Sequence, residues 1–294
     1  MAVAIHSLTP AIGAEISGVD LAASPAESDL RAIHAALMRH LVVFFRDQAL
    51  PPSRQAALAR RFGRLRQAQR AAFDITEDAP EVAVLLNDES KPPNVNHYHS
   101  DGIFRRMPEF GAMLYGVEVP DAGGDTIFVN MEAAFAALSP AMQSCLSGMQ
   151  ASHDFMKLHG SPTKARSWSG DNAARMDEMR RQNPPVVHPM VRVHPVTGRR
   201  SLYLAESFTT HILGLSKTES DGLLDTLFRH CTLPEFQVRF KWRTGSMAFW
   251  DNRATMHYAV ADYWPARRLM HRITIETDEL GAPGIEGVAG LAAA

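Results

Sequence analysis

The chain has 294 residues, 46% of them hydrophobic, with a formal net charge of −2 and two cysteines. Its Lys and Arg residues are scattered, which leaves no electrostatic footprint for a nucleic-acid partner, and no apolar run approaches the ~20 residues that a membrane span needs. Cys145 and Cys231 have no metal-type spacing, and the N-terminal stretch MAVAIHSLTP lacks the charged start and apolar core of a secretion signal, so two reduced thiols in a cytoplasmic protein are expected.

No Ser/Gly-rich or Pro-rich linker and no internal repeat divides the chain, which predicts a single domain over residues 1–280. In chain order, Ser24-Pro25-Ala26-Glu27 reads as a capping box with proline at the first helical position, opening a helix that runs to about His40. Short runs rich in Val, Ile, Phe and Tyr predict strands at 41–45, 82–86, 112–119 and 126–129. Residues 130–148 read as two short helices broken at Pro140. The polar stretch at about 157–185, with Gly160, Pro162, Gly170 and Pro184-Pro185, has the length and composition of a mobile, lid-like insertion.

Strands are expected again at 186–193 and 201–204. Ser216 to Glu219 forms a second capping box, whose helix buries Leu223, Leu224, Leu227 and Phe228. Residues 236–242 alternate, with Phe236, Val238, Phe240 and Trp242 on one face and Gln237, Arg239 and Lys241 on the other. Strands at 247–250 and 268–275 complete the pattern, and the Gly/Ala-rich residues 281–294 are expected to form a flexible tail. Many strands and few helices, without regular alternation, predict a mainly β, α+β architecture: a sandwich or barrel with flanking helices.

The stretch Asn96-His97-Tyr98-His99-Ser100-Asp101 places two histidines and an aspartate within five positions. A His-x-Asp triplet alone is a weak signal. It gains weight from His257, delivered at the end of FWDNRATMHY, and from Arg268 and Arg272, which an extended 268–275 turns to one face with Met270 and Thr274. Two arginines on one face of an interior strand are costly unless anions meet them. Two imidazoles and a carboxylate are the ligand set of non-haem Fe(II) oxygenases, which leaves three positions open on the metal. A 2-oxo acid can chelate two of these and leave one for O2, and its far carboxylate then needs a fixed cation such as arginine, helped by a hydroxyl such as that of Thr126.

At these residues the chain resembles the taurine dioxygenase family of iron- and 2-oxoglutarate-dependent oxygenases. The resemblance spans about residues 8–278 and rests on AIGAEISGVDL (11–21), RFGRL (61–65), YHSD (98–101), GGDTIF (123–128), HPMVRVHPVTG (188–198), ESFTTHI (206–212), PEFQVRF (234–240), WDNRATMHYAVADY (250–263) and RRLMHRITI (267–275). It implies a double-stranded β-helix, or jelly roll, with Fe(II) on His99, Asp101 and His257 and with Thr126 and Arg268 holding the distal carboxylate of 2-oxoglutarate. It also implies a homo-oligomer, dimer or tetramer, that acts on a small molecule with O2 and releases succinate and CO2. Asp101 fills the position that halogenating relatives leave for halide. Hydroxylation of an anionic substrate is therefore expected: a sulfonate, sulfate ester, carboxylate or amino-acid-like compound. Desaturation or cyclisation is the alternative outcome, and a non-catalytic jelly-roll binding protein the rival class.

The family's substrate pocket is only partly matched. Arg272 occupies the sulfonate-binding position, and Phe104 and Phe208 match its apolar walls. The histidine expected after RFGRL is missing, the chain reading Arg66-Gln67-Ala68 there. The asparagine expected four residues before the first ligand is Val95, and Asn96, which flanks it with Asn94, becomes a substrate-binding candidate. Gly102 replaces a branched residue, and Leu158-His159 a Ser-Phe pair. His97 shares a side with His99 in an extended segment, so it either lines the substrate pocket or is an ordinary satisfied histidine. These departures argue against taurine itself.

Overall fold

A computed structural model describes residues 3–68, 74–159 and 171–281. The largest sheet has eight strands: β1 (Ala4–Ser7), β2 (Ala14–Ser17), β3 (Val42–Phe45), β4 (Asp74–Ile75), β5 (Ala83–Asn87), β6 (Gly111–Glu118), β14 (Met247–Asp251) and β16 (Arg268–Ile275). Their spatial order is β1-β2-β3-β14-β6-β16-β5-β4, and every pairing is antiparallel except β2 with β3. A second sheet has β7 (Thr126–Asn130) at its centre, flanked by β13 (Gln237–Phe240) and β15 (Thr255–Ala259). β8 (Gln150–His153), β9 (Val186–Pro189) and β12 (Thr209–Ile212) form a third, and β10 (Val191–Val193) pairs with β11 (Arg200–Leu202). The fold is a mixed α+β structure with many strands.

The two-residue period of the strands sorts side chains into layers. Val43 and Phe45 of β3 join Met113, Phe249 and Ile273 in a cluster with Leu30, Ile33 and Leu37 of α1 (Glu27–His40). Val42 and Phe44 point the other way and meet Phe128, Val238 and Phe240 of the second sheet, Phe44 stacking on Phe240 with ring centroids 4.0 Å apart. With both faces covered, β3 is buried at all four positions and reads as a continuous apolar run. Each fully buried phenylalanine contributes roughly 1.5–3 kcal/mol. α2 (Pro52–Arg60) packs on the same outer layer as α1. A third cluster, built on Val129, Met131, Leu202, Phe208 and Leu227, lies under α3 (Met131–Ala136) and α7 (Lys217–Cys231).

Several sequence expectations hold in detail. The break at Pro140 separates α3 from α4 (Pro140–Ser147). The Ser216–Glu219 capping box is present in full, although of its expected stripe Leu224 and Leu227 are buried while Leu223 and Phe228 are half-buried. The first capping box is not formed. Ser24 closes a short 3-10 turn at Leu21–Ala23 with a φ of 59°, so α1 starts at Glu27 on Ala26, with no side-chain cap. Residues 255–259, which follow the expected 247–250 strand and are not among the expected strands, form a strand of their own. Within the polar 157–185 stretch stands a helix, α6 (Asp171–Gln182), preceded by α5 (Phe155–His159). The rest of that stretch at 160–170 and the expected tail from 282 onward lie outside the described residues. Among the described residues no helix is long and apolar enough to cross a membrane.

Candidate active site

His99 and His257 are brought together by the backbone. His99 N donates to His257 O at 2.9 Å and His257 N to His99 O at 2.7 Å, a single antiparallel bridge between β15 and the irregular segment before Asp101. The two imidazoles lie side by side, with centroids 4.2 Å apart. Asp101 reaches both: Oδ1 lies 3.8 Å from His99 Nε2 and Oδ2 lies 3.8 Å from His257 Nε2. One donor atom from each of the three falls within 4.8 Å of the others, and all three residues are buried.

The donor set fits a divalent metal on its own chemistry. His99 Nδ1 donates to the carbonyl of His97 at 2.9 Å, which fixes the tautomer and leaves the Nε2 lone pair facing Asp101. Burial, joined by the charge of His99, pushes the His257 pKa down to about 3, so its imidazole is a neutral donor. Burial alone raises the Asp101 carboxyl, but Arg272 and the two histidines outweigh it and hold it at about 2. Two imidazoles and one carboxylate match the facial ligand set of ferrous oxygenases.

The cavity that the triad lines, about 400 Å³ in volume, is also lined by a buried cation. Arg268 is 7% exposed, and among the described residues no carboxylate forms an ion pair with it. Its guanidinium carbon sits 5.5 Å from the Tyr263 ring centroid and 6.0 Å from that of Trp242. Gly124, with a φ of 71°, keeps this place open: a Cβ there would stand 3.1 Å from Arg268 Nε. Trp242 Nε1 donates to Thr126 Oγ1 at 2.9 Å. One lone pair of the hydroxyl is thereby used, and its proton is available to a ligand. A buried guanidinium without a counter-ion costs free energy unless an anion meets it.

The remaining candidates divide. Arg272 lines the cavity and places Nη2 2.8 Å from Asp101 Oδ2. Phe104 and Phe208 meet at 4.8 Å between centroids and form an apolar wall with Phe155 and Leu158. His97 lines the cavity, its ring 5.2 Å from that of His99. Asn96 does not: it is exposed, and Asn94 and Val95 take the place in the wall. Asn96 is the central residue of a tight turn in which His97 N donates to the Val95 carbonyl at 2.9 Å, so the segment does not alternate as a strand would. Sequence reasoning missed Phe155, Met179 of α6, Trp242 and Tyr263, and the charged trio Arg66, Arg105 and Glu109, all of them cavity residues except Trp242. The four-residue spacing of Arg105 and Glu109 and the departure at Arg66 are the visible signals for that trio. His153, His188 and His194 bond to Thr209, the Arg105 carbonyl and Asp251 respectively.

The family model described as taurine catabolism dioxygenase TauD, TfdA family, matches residues 4–274. An alpha-ketoglutarate-dependent sulfate ester dioxygenase of Pseudomonas putida is 33% identical over 92% of this chain and 88% of its own length. The crystal structure of a taurine dioxygenase from Burkholderia xenovorans superposes with a TM-score of 0.78 at 33% identity, covering 100% of both chains. That of AAD-2 in complex with Mn(II) and N-oxalylglycine gives a TM-score of 0.77 at 30% identity, covering 96% of this chain and 100% of the other.

Proposed function

Because the chain belongs to the TauD/TfdA family and is an alpha-ketoglutarate-dependent dioxygenase, we propose that His99, Asp101 and His257 hold its ferrous ion and that Arg268 and Thr126 hold the distal carboxylate of 2-oxoglutarate. The observation that carries this assignment is the pairing, in one cavity, of a His/Asp/His triad with a buried arginine that has no counter-ion among the described residues. When bound, the ferrous ion and 2-oxoglutarate supply the oxidation of a C–H bond by O2, with succinate and CO2 as co-products.

The chain supplies the geometry. His99 and His257 are pinned by their mutual backbone bonds, so the triad cannot spread. Arg268 and the Thr126 hydroxyl orient the co-substrate, and the phenyl rings of Phe104, Phe155 and Phe208 exclude water from the reacting carbon. Arg272 takes the substrate's acidic group near Asp101. The apolar wall and that cation together suit an organic anion of the sulfate ester or sulfonate type, hydroxylated at the carbon beside the heteroatom. The two packed sheets form the core of a double-stranded β-helix, residues 1–280 act as one domain, and α6 belongs to a lid over the cavity, through Met179. The enzyme works in the cytoplasm as a homo-oligomer; its two cysteines are free, one of them exposed.

Anaerobic addition of Fe(II) and 2-oxoglutarate tests the assignment. The wild type is expected to develop a weak visible charge-transfer band, and Asp101→Ala to lose it together with most substrate hydroxylation. Hydroxylation that survives unchanged in Asp101→Ala removes Asp101 from the metal.

A further inference from the structure

Two departures from the family pattern, Arg66 and Gly102, remain unexplained by the reaction, and the structure joins them through Glu109. Gly102 has a φ of 63°, and a Cβ built on it would fall 1.5 Å from Glu109 Oε2. The carboxylate therefore occupies the space that any side chain at 102 would take, directly behind Asp101. Glu109 Oε1 stands 3.3 Å from Arg66 Nε and 3.3 Å from Arg105 Nε. Arg66 Nη2 reaches on to Glu276 Oε1 at 3.2 Å. Arg105 is held by its own carbonyl, which accepts from His188 Nε2 at 2.8 Å, and its guanidinium lies 5.3 Å from the Phe104 ring centroid.

We propose that Arg105 is a second cation for the substrate's acidic group, acting beside Arg272, and that Glu109, lodged against Gly102, is its positioning residue. The inference deepens the anionic-substrate reading above and rests on it. Both guanidiniums line the cavity and are 21% exposed at the side chain, whereas that of Glu109 is 5% exposed. The two cations are thus more open to the cavity than Glu109, which also lines it. Burial is the main influence that lowers the Arg105 pKa; Glu109 opposes it, and the charges of Arg66 and Arg272 add to it. An anion between Arg105 and Arg272 relieves that mutual repulsion. Once a divalent ion occupies Asp101, the carboxylate facing Arg272 is shared, and the cavity's balance moves further toward an anion. Glu109 fixes the direction of Arg105 and keeps its flexible stem from folding over the triad.

Hexyl sulfate is the probe. Its dissociation constant is measured by calorimetry on protein loaded with Mn(II) and N-oxalylglycine, and its KM and kcat from succinate release in the iron enzyme. Loss of one charge-assisted contact predicts a Kd and KM raised about tenfold or more in Arg105→Met, with kcat changed less than threefold and partial recovery in Arg105→Lys. Glu109→Gln is expected to raise KM in the same direction by a smaller factor. A protein-wide packing defect would not give this split or the lysine rescue. An unchanged Kd in Arg105→Met, with tight wild-type binding, overturns the role of Arg105 and leaves the substrate reading standing. If the wild type neither binds hexyl sulfate nor releases succinate with it, with hexanesulfonate or with hexanoate, the substrate reading falls and this inference falls with it.

Discussion

At the scale of single residues, Arg268 carries the sharpest consequence. Its burial and its lack of an ion-pair partner among the described residues mean that the folded protein holds a charge whose cost the Tyr263 and Trp242 rings offset in part and an arriving carboxylate offsets further. A charge-assisted hydrogen bond contributes about 1.5–3 kcal/mol. Arg268→Ala is therefore expected to raise the KM for 2-oxoglutarate at least tenfold while Fe(II) affinity stays near that of the wild type. Steady-state 2-oxoglutarate consumption and an iron titration check the two halves separately, and an unchanged KM would place the co-substrate elsewhere. Thr126 belongs to the same device: the Trp242 indole occupies one side of its oxygen and so directs its proton. The Thr126 side chain could be proposed from its motif, but the donor behind it could not. That bond joins residues 116 positions apart, and the alternation of 236–242 fixes only which face Trp242 presents.

At the scale of elements, legibility followed periodicity. Strands whose two faces differ, such as 268–275, could be read down to the side each arginine takes, because a two-residue period leaves one register compatible with burial. Short strands with little apolar contrast, β1 and β8 among them, carried no such signal, and α6, with its polar composition, read as a loop. The triad was visible as residue types, yet its convergence depends on the bridge between His99 and His257, a pairing across 158 positions that local pattern cannot specify. That bridge makes a metal a clamp between two elements: the segment around His99–Asp101 and β15. A ligand bound only by the folded state stabilises it by about 2.7 kcal/mol at a hundredfold excess over Kd, roughly a 5 °C rise in Tm for a chain of this size. Anaerobic Fe(II) added to metal-free protein should produce that rise, and His257→Ala should abolish it. A rise that persists in the variant would put the ion at another site.

At the scale of the whole molecule, the cavity depends on a buried polar array that ties the helical layer to the strand ends behind the triad. Asp251, at the end of β14, accepts from His194 Nε2 at 2.9 Å and from Arg253, whose Nη2 also bonds Asp278 at 2.9 Å. Asp278 in turn accepts from His34 of α1 at 2.8 Å. Val196 N and Thr197 N donate to His194 Nδ1, so Nε2 carries the proton that Asp251 receives. Burial raises both carboxyls, but for Asp251 the Arg253 charge and the His194 bond, and for Asp278 the His34 bond and the Arg253 charge, outweigh it and leave each below the ordinary carboxylate range. Breaking a buried pair from one side costs about 3 kcal/mol, and Asp278→Asn is expected to lose about that much in urea unfolding at pH 7. A depressed native pKa stabilises the fold above the unfolded value of about 3.9 and stops doing so as pH falls through the native one. The gap between wild type and variant should therefore stay constant from pH 7 to about 4.5 and narrow below about pH 4. A gap equally wide at pH 3.5 would mean that the Asp278 carboxylate charge contributes nothing, and that the array holds the strand ends by shape alone.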